Sequence, residues 1–296
     1  MTRIAACWLL FVLIGALFAP WLHLGDPNRS ATCAAKTPTV EVDAVGRAHL
    51  VAQPGCPIQA AADDHAAALP SSRHVLGTDE IGRDVFARLV FGSRTAVVVG
   101  LVAIGVALIV GCIAGMIAGF GGGIVDSLLT QSFNVILAIP GMVLVVTIVG
   151  AFERGLFSVC LGVAVVATPV FGHVARVQTR VITAREHVVA ARAAGAKRAR
   201  IIRLEILPSL LPQMASYYAL GAAVALTAEG GLAVLGLSVP EPTATWGGMI
   251  AGGRSMITRY PNVALIPTAA MFITILAMHQ LGDHFTRHLD TRETAW

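Results

Sequence analysis

Charge is scarce in this 296-residue chain: only 13% of its residues are Asp, Glu, Lys or Arg, about half of what a soluble globular domain carries, while 56% are hydrophobic. With a mean hydropathy of +0.75, that scarcity excludes a soluble domain and implies an integral membrane protein. Catalytic and nucleotide motifs are missing as well. No Gly-x-x-x-x-Gly-Lys-Ser/Thr occurs, and no strand precedes Gly247, Gly248, Gly252 and Gly253, so those glycines are not expected to cradle a phosphate and the chain is not expected to bind ATP. There is no His-Glu-x-x-His and no Gly-x-Ser-x-Gly, so no catalytic residue is assigned and an enzyme is not expected. His279, His284 and His288 recur every four or five residues, a stripe that could take a metal but also suits a helix C-terminus, where a cation meets the dipole. No metal set is assigned. The net charge of +4 does not point to nucleic acid, because the basic residues gather in one loop beside apolar runs, as membrane orientation requires.

What is abundant is apolar sequence in long runs. Residues 4–22 follow Arg3, approach the 20 or so residues of a bilayer crossing, and end in Pro20-Trp21 without a small-x-small cleavage site. An uncleaved first span is expected, with Trp21 as an interfacial anchor. Five more runs follow at 95–119, 127–150, 156–175, 210–235 and 263–281, with Pro140 and Pro169 as kinks. The fold class is therefore an all-α integral membrane protein of six transmembrane helices. Between residues 176 and 205 stand eight Lys or Arg against two acids, which places that loop in the cytoplasm and gives an N-in, C-in topology. Gly105, Gly111, Gly115 and Gly119, at intervals near four, predict close helix packing.

Residues 25–72 differ: Pro27, Asn28, Ser30, Pro38, Pro54 and Pro57 interrupt them and no run is long enough to span, so they form an extracytoplasmic insert. Cys33 and Cys56 lie in it, where oxidised cysteines persist; a disulfide between them would close about 22 residues and contribute roughly 3 kcal/mol, the alternative being two free thiols. Cys7, Cys112 and Cys160 sit in apolar runs as small core residues. Residues 73–94 begin with the mixed charges Asp79, Glu80, Arg83 and Asp84, read as a helix cap with surface ion pairs, and continue with Val85, Phe86, Leu89 and Val90 on one face. An amphipathic helix on the membrane surface is expected there. Residues 95–283 then hold five helices and the 176–208 loop, and 284–296 form a cytoplasmic tail.

The 176–208 loop carries the candidate site. Thr183-x-x-Glu186 has capping-box spacing, and Gly195 suits a helix stop. Between them, Ala190, Ala191, Ala193 and Ala194 have so little bulk that another protein's backbone can approach closely, as in helix-in-groove docking. From composition alone the stretch also fits a basic loop resting on anionic headgroups. Inside the spans the few polar residues are Gln131, Asn134 and Glu229, expected at a pathway or gate, although Glu229 could equally be a shallow acid within reach of water.

Three motifs give these segments a family resemblance. Ala190-Ala191, Gly195 and the closing Ile206-Leu207-Pro208 resemble the "EAA" signature of binding-protein-dependent ABC importer permeases, although Val189 stands where the signature has an acid. Gly77-Thr-Asp-x-x-Gly-Arg-Asp84 resembles the motif before the second span of the oligopeptide and dipeptide subgroup, and the stretch from Glu229 to Ser238, followed by Trp246-Gly-Gly, resembles that subgroup's later motif. The resemblance implies a type I ABC importer permease fold in a bacterial inner membrane. It implies a second homologous permease as partner, two ATPase subunits that carry the ATP and Mg, and an extracytoplasmic peptide-binding protein, with lipid around the spans and no cofactor in this chain. His187, Val188, Val189, Ala190, Ala191, Arg192, Ala194 and Gly195 would then couple to the ATPases. The expected cargo is an oligopeptide or dipeptide; nickel or another metal complex is the alternative within the family. An ion-coupled secondary transporter would need buried ionisable residues and inverted repeats, and only Glu229 offers the former.

Overall fold

The computed structural model describes residues 2–22, 27, 39–42, 48–51, 67, 69–70, 74–80 and 82–293. Cys33, Cys56 and most of the 25–72 insert lie outside the described residues, and so does the side chain of His288.

Eleven α-helices are described: α1 (Thr2–Phe18), α2 (Val85–Val97), α3 (Ile104–Gly121), α4 (Gly123–Leu137), α5 (Gly141–Ala151), α6 (Leu156–Thr183), α7 (Glu186–Ala193), α8 (Arg198–Ile201), α9 (Leu207–Val234), α10 (Trp246–Gly253) and α11 (Pro261–Glu293). The all-α expectation needs one amendment, a two-stranded antiparallel hairpin in the insert, β1 (Thr39–Val42) and β2 (Ala48–Val51), with Thr39 opposite Val51. β1 is rich in β-branched residues, Thr39, Val40 and Val42, which favour extended backbone, and β2 ends on Val51.

Among the described residues, four helical units are long and apolar enough to cross a membrane: Val85–Gly121, Leu156–Thr183, Arg198–Val234 and Pro261–Thr286. The α4–α5 pair, bent by 85° at its break, is apolar enough to be one broken crossing or a re-entrant loop. The cause of the bend is Pro140, which ends α4's ladder and caps α5 with a φ of −53° and ψ of 123°. Pro169, by contrast, is carried inside an unbroken α6. The 17-residue α1 ends at Phe18, short of the expected 4–22 run.

The helix expected within 73–94 is α2, which begins at Val85 behind its cap Asp84; before it, residues 74–80 and 82–84 hold turns and an isolated bridge from Thr78 to Asp84. It then runs through a π-helical segment, Val98–Ala103, directly into α3, because the apolar sequence offers no breaker between them. The result is 37 residues, about 55 Å at the rise of an α-helix.

Helix α6 is the centre of the bundle. On one side it meets α3 through the glycine stripe: a Cβ on Gly111, Gly115 or Gly119 would lie 2.4, 2.3 and 2.5 Å from the carbonyls of Thr168, Gly172 and Arg176. Small residues four apart let the two backbones touch, so three of the four sequence glycines serve packing inside this chain; Gly105 has only distant neighbours. On the other side Phe133 of α4 covers Gly172, and Val145 and Val149 of α5 join Val159 and Val163 in one apolar cluster.

Candidate coupling loop and the two ends of the bundle

At one end of the bundle, α6 turns into α7. The capping box expected from Thr183 and Glu186 is not formed: Thr183 still belongs to α6, its hydroxyl donates to the carbonyl of Arg180, and α7 starts from Arg185 without a side-chain cap. The stop is formed as expected. Gly195 has φ +81°, its amide donates to the carbonyl of Arg192 (3.0 Å), and the Ala196 amide donates to that of Ala191 (3.1 Å), the paired bonds of a Schellman ending.

Two side chains seat α7. Val188 is 0% exposed and packs with Cys112, Met116, Ala175, Ile182, Ile201, Ile206, Leu210 and Met214, so it is an internal anchor and not a contact offered to a partner. This corrects its expected role. The Arg192 guanidinium lies over the ring of Phe120 at 5.4 Å, at the end of α3, a cation–π contact. What remains outward is His187, Val189 at 54% exposure, Ala190, Ala193, Ala194 and Gly195, with Ala191 half-buried. The chain then returns through α8 and a π-helical segment, Ile202–Ile206, which runs without a break into α9, with Pro208 close behind the segment.

Beside the loop, the first turn of α4 is held to α6. The Asp126 carboxylate accepts from the Nη2 of Arg176 at 2.9 Å and also pairs with Arg176 Nε and Arg180. The sequence had shown Asp126 as an acid at the edge of an apolar run, which could have flagged a partner; nothing in it showed which arginine.

Gln131 and Asn134 lie along α4 on an exposed face with Ile124, Leu128 and Val135. Glu229 is not brought to that face. It is 3% exposed on α9, where its Oε1 accepts from the Ser238 hydroxyl at 2.7 Å and the Thr245 hydroxyl and Gly247 amide add further bonds. A Cβ on Gly247 would fall 2.7 Å from Glu229 Oε2 and 3.0 Å from the Cα of Gly230. Glu229 thus ties α9 to the start of α10 and is shut away from the exposed face of α4.

The opposite end is closed by charge. Asp79 accepts from the backbone amide of Arg83 (2.9 Å) and from its Nε (2.6 Å), while Arg83 Nη2 reaches Glu241 Oε1 at 3.0 Å. Arg88, 2% exposed, donates to the carbonyls of Pro27 and Pro242 and stands 3.6 Å from Asp79. Asp84 caps α2 as expected, accepting from Phe86 and Ala87 amides, but Asp79 and Arg83 are buried and not surface ion pairs. Burial opposes ionisation of Glu241, but the Arg83 bond is the larger influence and holds its carboxyl below the usual carboxylate range. Trp246 Nε1 donates to the Leu89 carbonyl (2.8 Å) and Asn262 donates to that of Leu76 (3.0 Å), so α2, α10 and α11 meet here. Among the described residues no group of three His, Cys, Asp or Glu could hold a metal.

Four long apolar helices, a bent apolar pair and a short helix standing outside the bundle mark a multi-span membrane protein. Residues 111–294 match the family of binding-protein-dependent transport system inner membrane components, and the chain belongs to that family. It is similar to the probable D,D-dipeptide transport system permease protein DdpC of Escherichia coli, 29% identical over 99% of this chain and 88% of that one. It is likewise similar to the dipeptide transport system permease protein DppC of Alkalihalophilus pseudofirmus, 34% identical over 75% of this chain and 73% of that one. In fold it resembles a chain of the inward-facing MetNI methionine ABC transporter, with a TM-score of 0.57 at 17% identity, covering 68% of this chain and 96% of the other.

Proposed function

We propose that this chain is the permease subunit of an ATP-driven peptide importer, six crossings with both termini and the α7 loop in the cytoplasm of a bacterium, paired with a second permease. Two ATPase subunits carrying ATP and Mg dock on α7 and its counterpart, and an extracytoplasmic binding protein delivers an oligopeptide or dipeptide. The dipeptide systems named among its relatives favour peptides over a metal complex as cargo. The observation that carries the coupling is α7 itself: seated inward by Val188 and Arg192, it presents outward a face of alanine and glycine that a groove can close on. Because α7 follows α6 after a two-residue turn, and Asp126 fastens α6 to α4, a push on α7 reaches the helix that carries Gln131 and Asn134. That exposed face of α4 faces the partner permease and the translocation path.

The test is ATP-driven peptide uptake in vesicles holding the complete complex. Ala191→Asp, placing an unpaired charge in the docking contact, is expected to abolish uptake at normal subunit levels, since the loop lies outside the bilayer and the spans still insert. Wild-type uptake by this variant would reduce α7 to a helix on the membrane surface.

A further inference from the structure

A cavity of about 540 Å³ lies between α1, the α2–α3 helix, α9 and α11, away from α7 and from the exposed face of α4. Its wall is carbon: Leu9 and Leu13 from α1, Leu101 beside the π-helical segment, Ala215 and Ala222 from α9, Met278 from α11. Its two polar side chains are already used, Tyr218 donating to the Leu101 carbonyl (2.8 Å) and Thr274 to that of Ala270 (2.7 Å). Water would find no partner there, and an apolar space of this size takes an apolar ligand.

The mouth is formed by Ala6, Leu10 and Phe285, all exposed, so the cavity opens on the side of the bundle that meets bilayer hydrocarbon. Ala6, Leu10 and Leu13 form one stripe along α1, and Arg3 extends it by one turn beyond the mouth. We infer that this cavity is a site for one acyl chain of an anionic phospholipid, whose phosphate lies at Arg3. The chain would fill the space between α1 and the rest of the bundle, making α1's seating depend on lipid. The inference needs only that the protein spans a membrane; it stands or falls separately from the identity of the cargo.

The assembled transporter in nanodiscs of phosphatidylglycerol, a fraction of it bearing a diazirine on one acyl chain, provides the test. After illumination, adducts should concentrate on Leu9, Leu10, Leu13, Met278 and Phe285, severalfold above the exposed α3 residues Ile109, Ile113 and Ile117. Ala215→Phe, which fills the cavity from α9, and Ala6→Phe, which blocks the mouth from an exposed position and does not burden folding, should each remove the cavity adducts and spare those on α3. Arg3→Gln should lower the preference for phosphatidylglycerol over phosphatidylcholine about fivefold, the weight of one basic residue at an anionic surface. Cavity adducts no denser than those on α3, and unchanged by Ala6→Phe, would mean an ordinary lipid belt and overturn the site. So would a Leu10→Cys variant that cross-links to another protein subunit in place of lipid.

Discussion

The two ends of the bundle are built by opposite means. At one end Asp79, Arg83, Arg88 and Glu241 form a buried charged network, and Trp246 and Glu229 fasten α10 to α2 and α9. At the other, α7 rests on one valine and one arginine and leaves the rest of its surface outward. An end whose charges are paired within the chain holds its shape; an end anchored at two points can be moved, and its open face can be gripped. In a coupled transporter these are different tasks: Asp79, Arg83 and Arg88 serve the first, while the buried acid beside the loop, Asp126, holds α4 to α6 and leaves α7 itself unfastened.

The comparison breaks most visibly at Asp79. Asp79→Ala would leave two buried guanidiniums short of their carboxylate and is expected to lower stability by roughly 3–5 kcal/mol. Chemical denaturation of the detergent-solubilised chain measures it; Arg198→Ala in the exposed loop should shift the same midpoint by less than about 0.5 kcal/mol. Equal shifts would show that the charged end is no firmer than the loop.

Val188→Ala comes next, with a loss of roughly 2 kcal/mol in α7's seating from a cavity where the side chain had none around it. Uptake by the complete complex should fall, and the isolated chain should lose stability, whereas Val189→Ala, one residue along and half exposed, should leave the stability of the isolated chain nearly unchanged. Gly195→Ala should cost about 1 kcal/mol, from the left-handed backbone alone. Its Cβ would meet nothing within 4 Å, so a larger loss on assembly than in the isolated chain would place the partner against this residue.

The smallest effect is one of pH. Glu241 binds its proton less readily folded than unfolded, so its contribution is complete near neutrality and fades as pH falls through the ordinary glutamate range, about 4. Its side chain is 66% exposed, so solvent screening keeps this below about 1 kcal/mol. Comparing the acid limb of stability for wild type and Glu241→Gln measures the difference; superimposable curves would remove Glu241 from the network.

The apolar runs, the break at Pro140, the N-cap at Asp84 and the stop at Gly195 were legible in the chain, because each follows from the length of a run or from the backbone limits of one residue type. Length and hydropathy fix how much helix a membrane must hold, and a glycine or proline acts on the two or three residues beside it. Which side chains meet across the bundle was not legible. Val188 and Val189 are the same residue in the same helix, yet one is an anchor and the other is open, because α3, α6 and α9 converge on one side of α7 only. Likewise nothing in the sequence showed that Ser238 and the start of α10 close over Glu229, and Asp79 and Arg83 read as surface charges until Glu241, 158 positions beyond Arg83, was seen to pair with it. Sequence periodicity sets which face of a helix is apolar; only the packing of distant helices decides which polar groups are shut in with a partner and which remain free to take one.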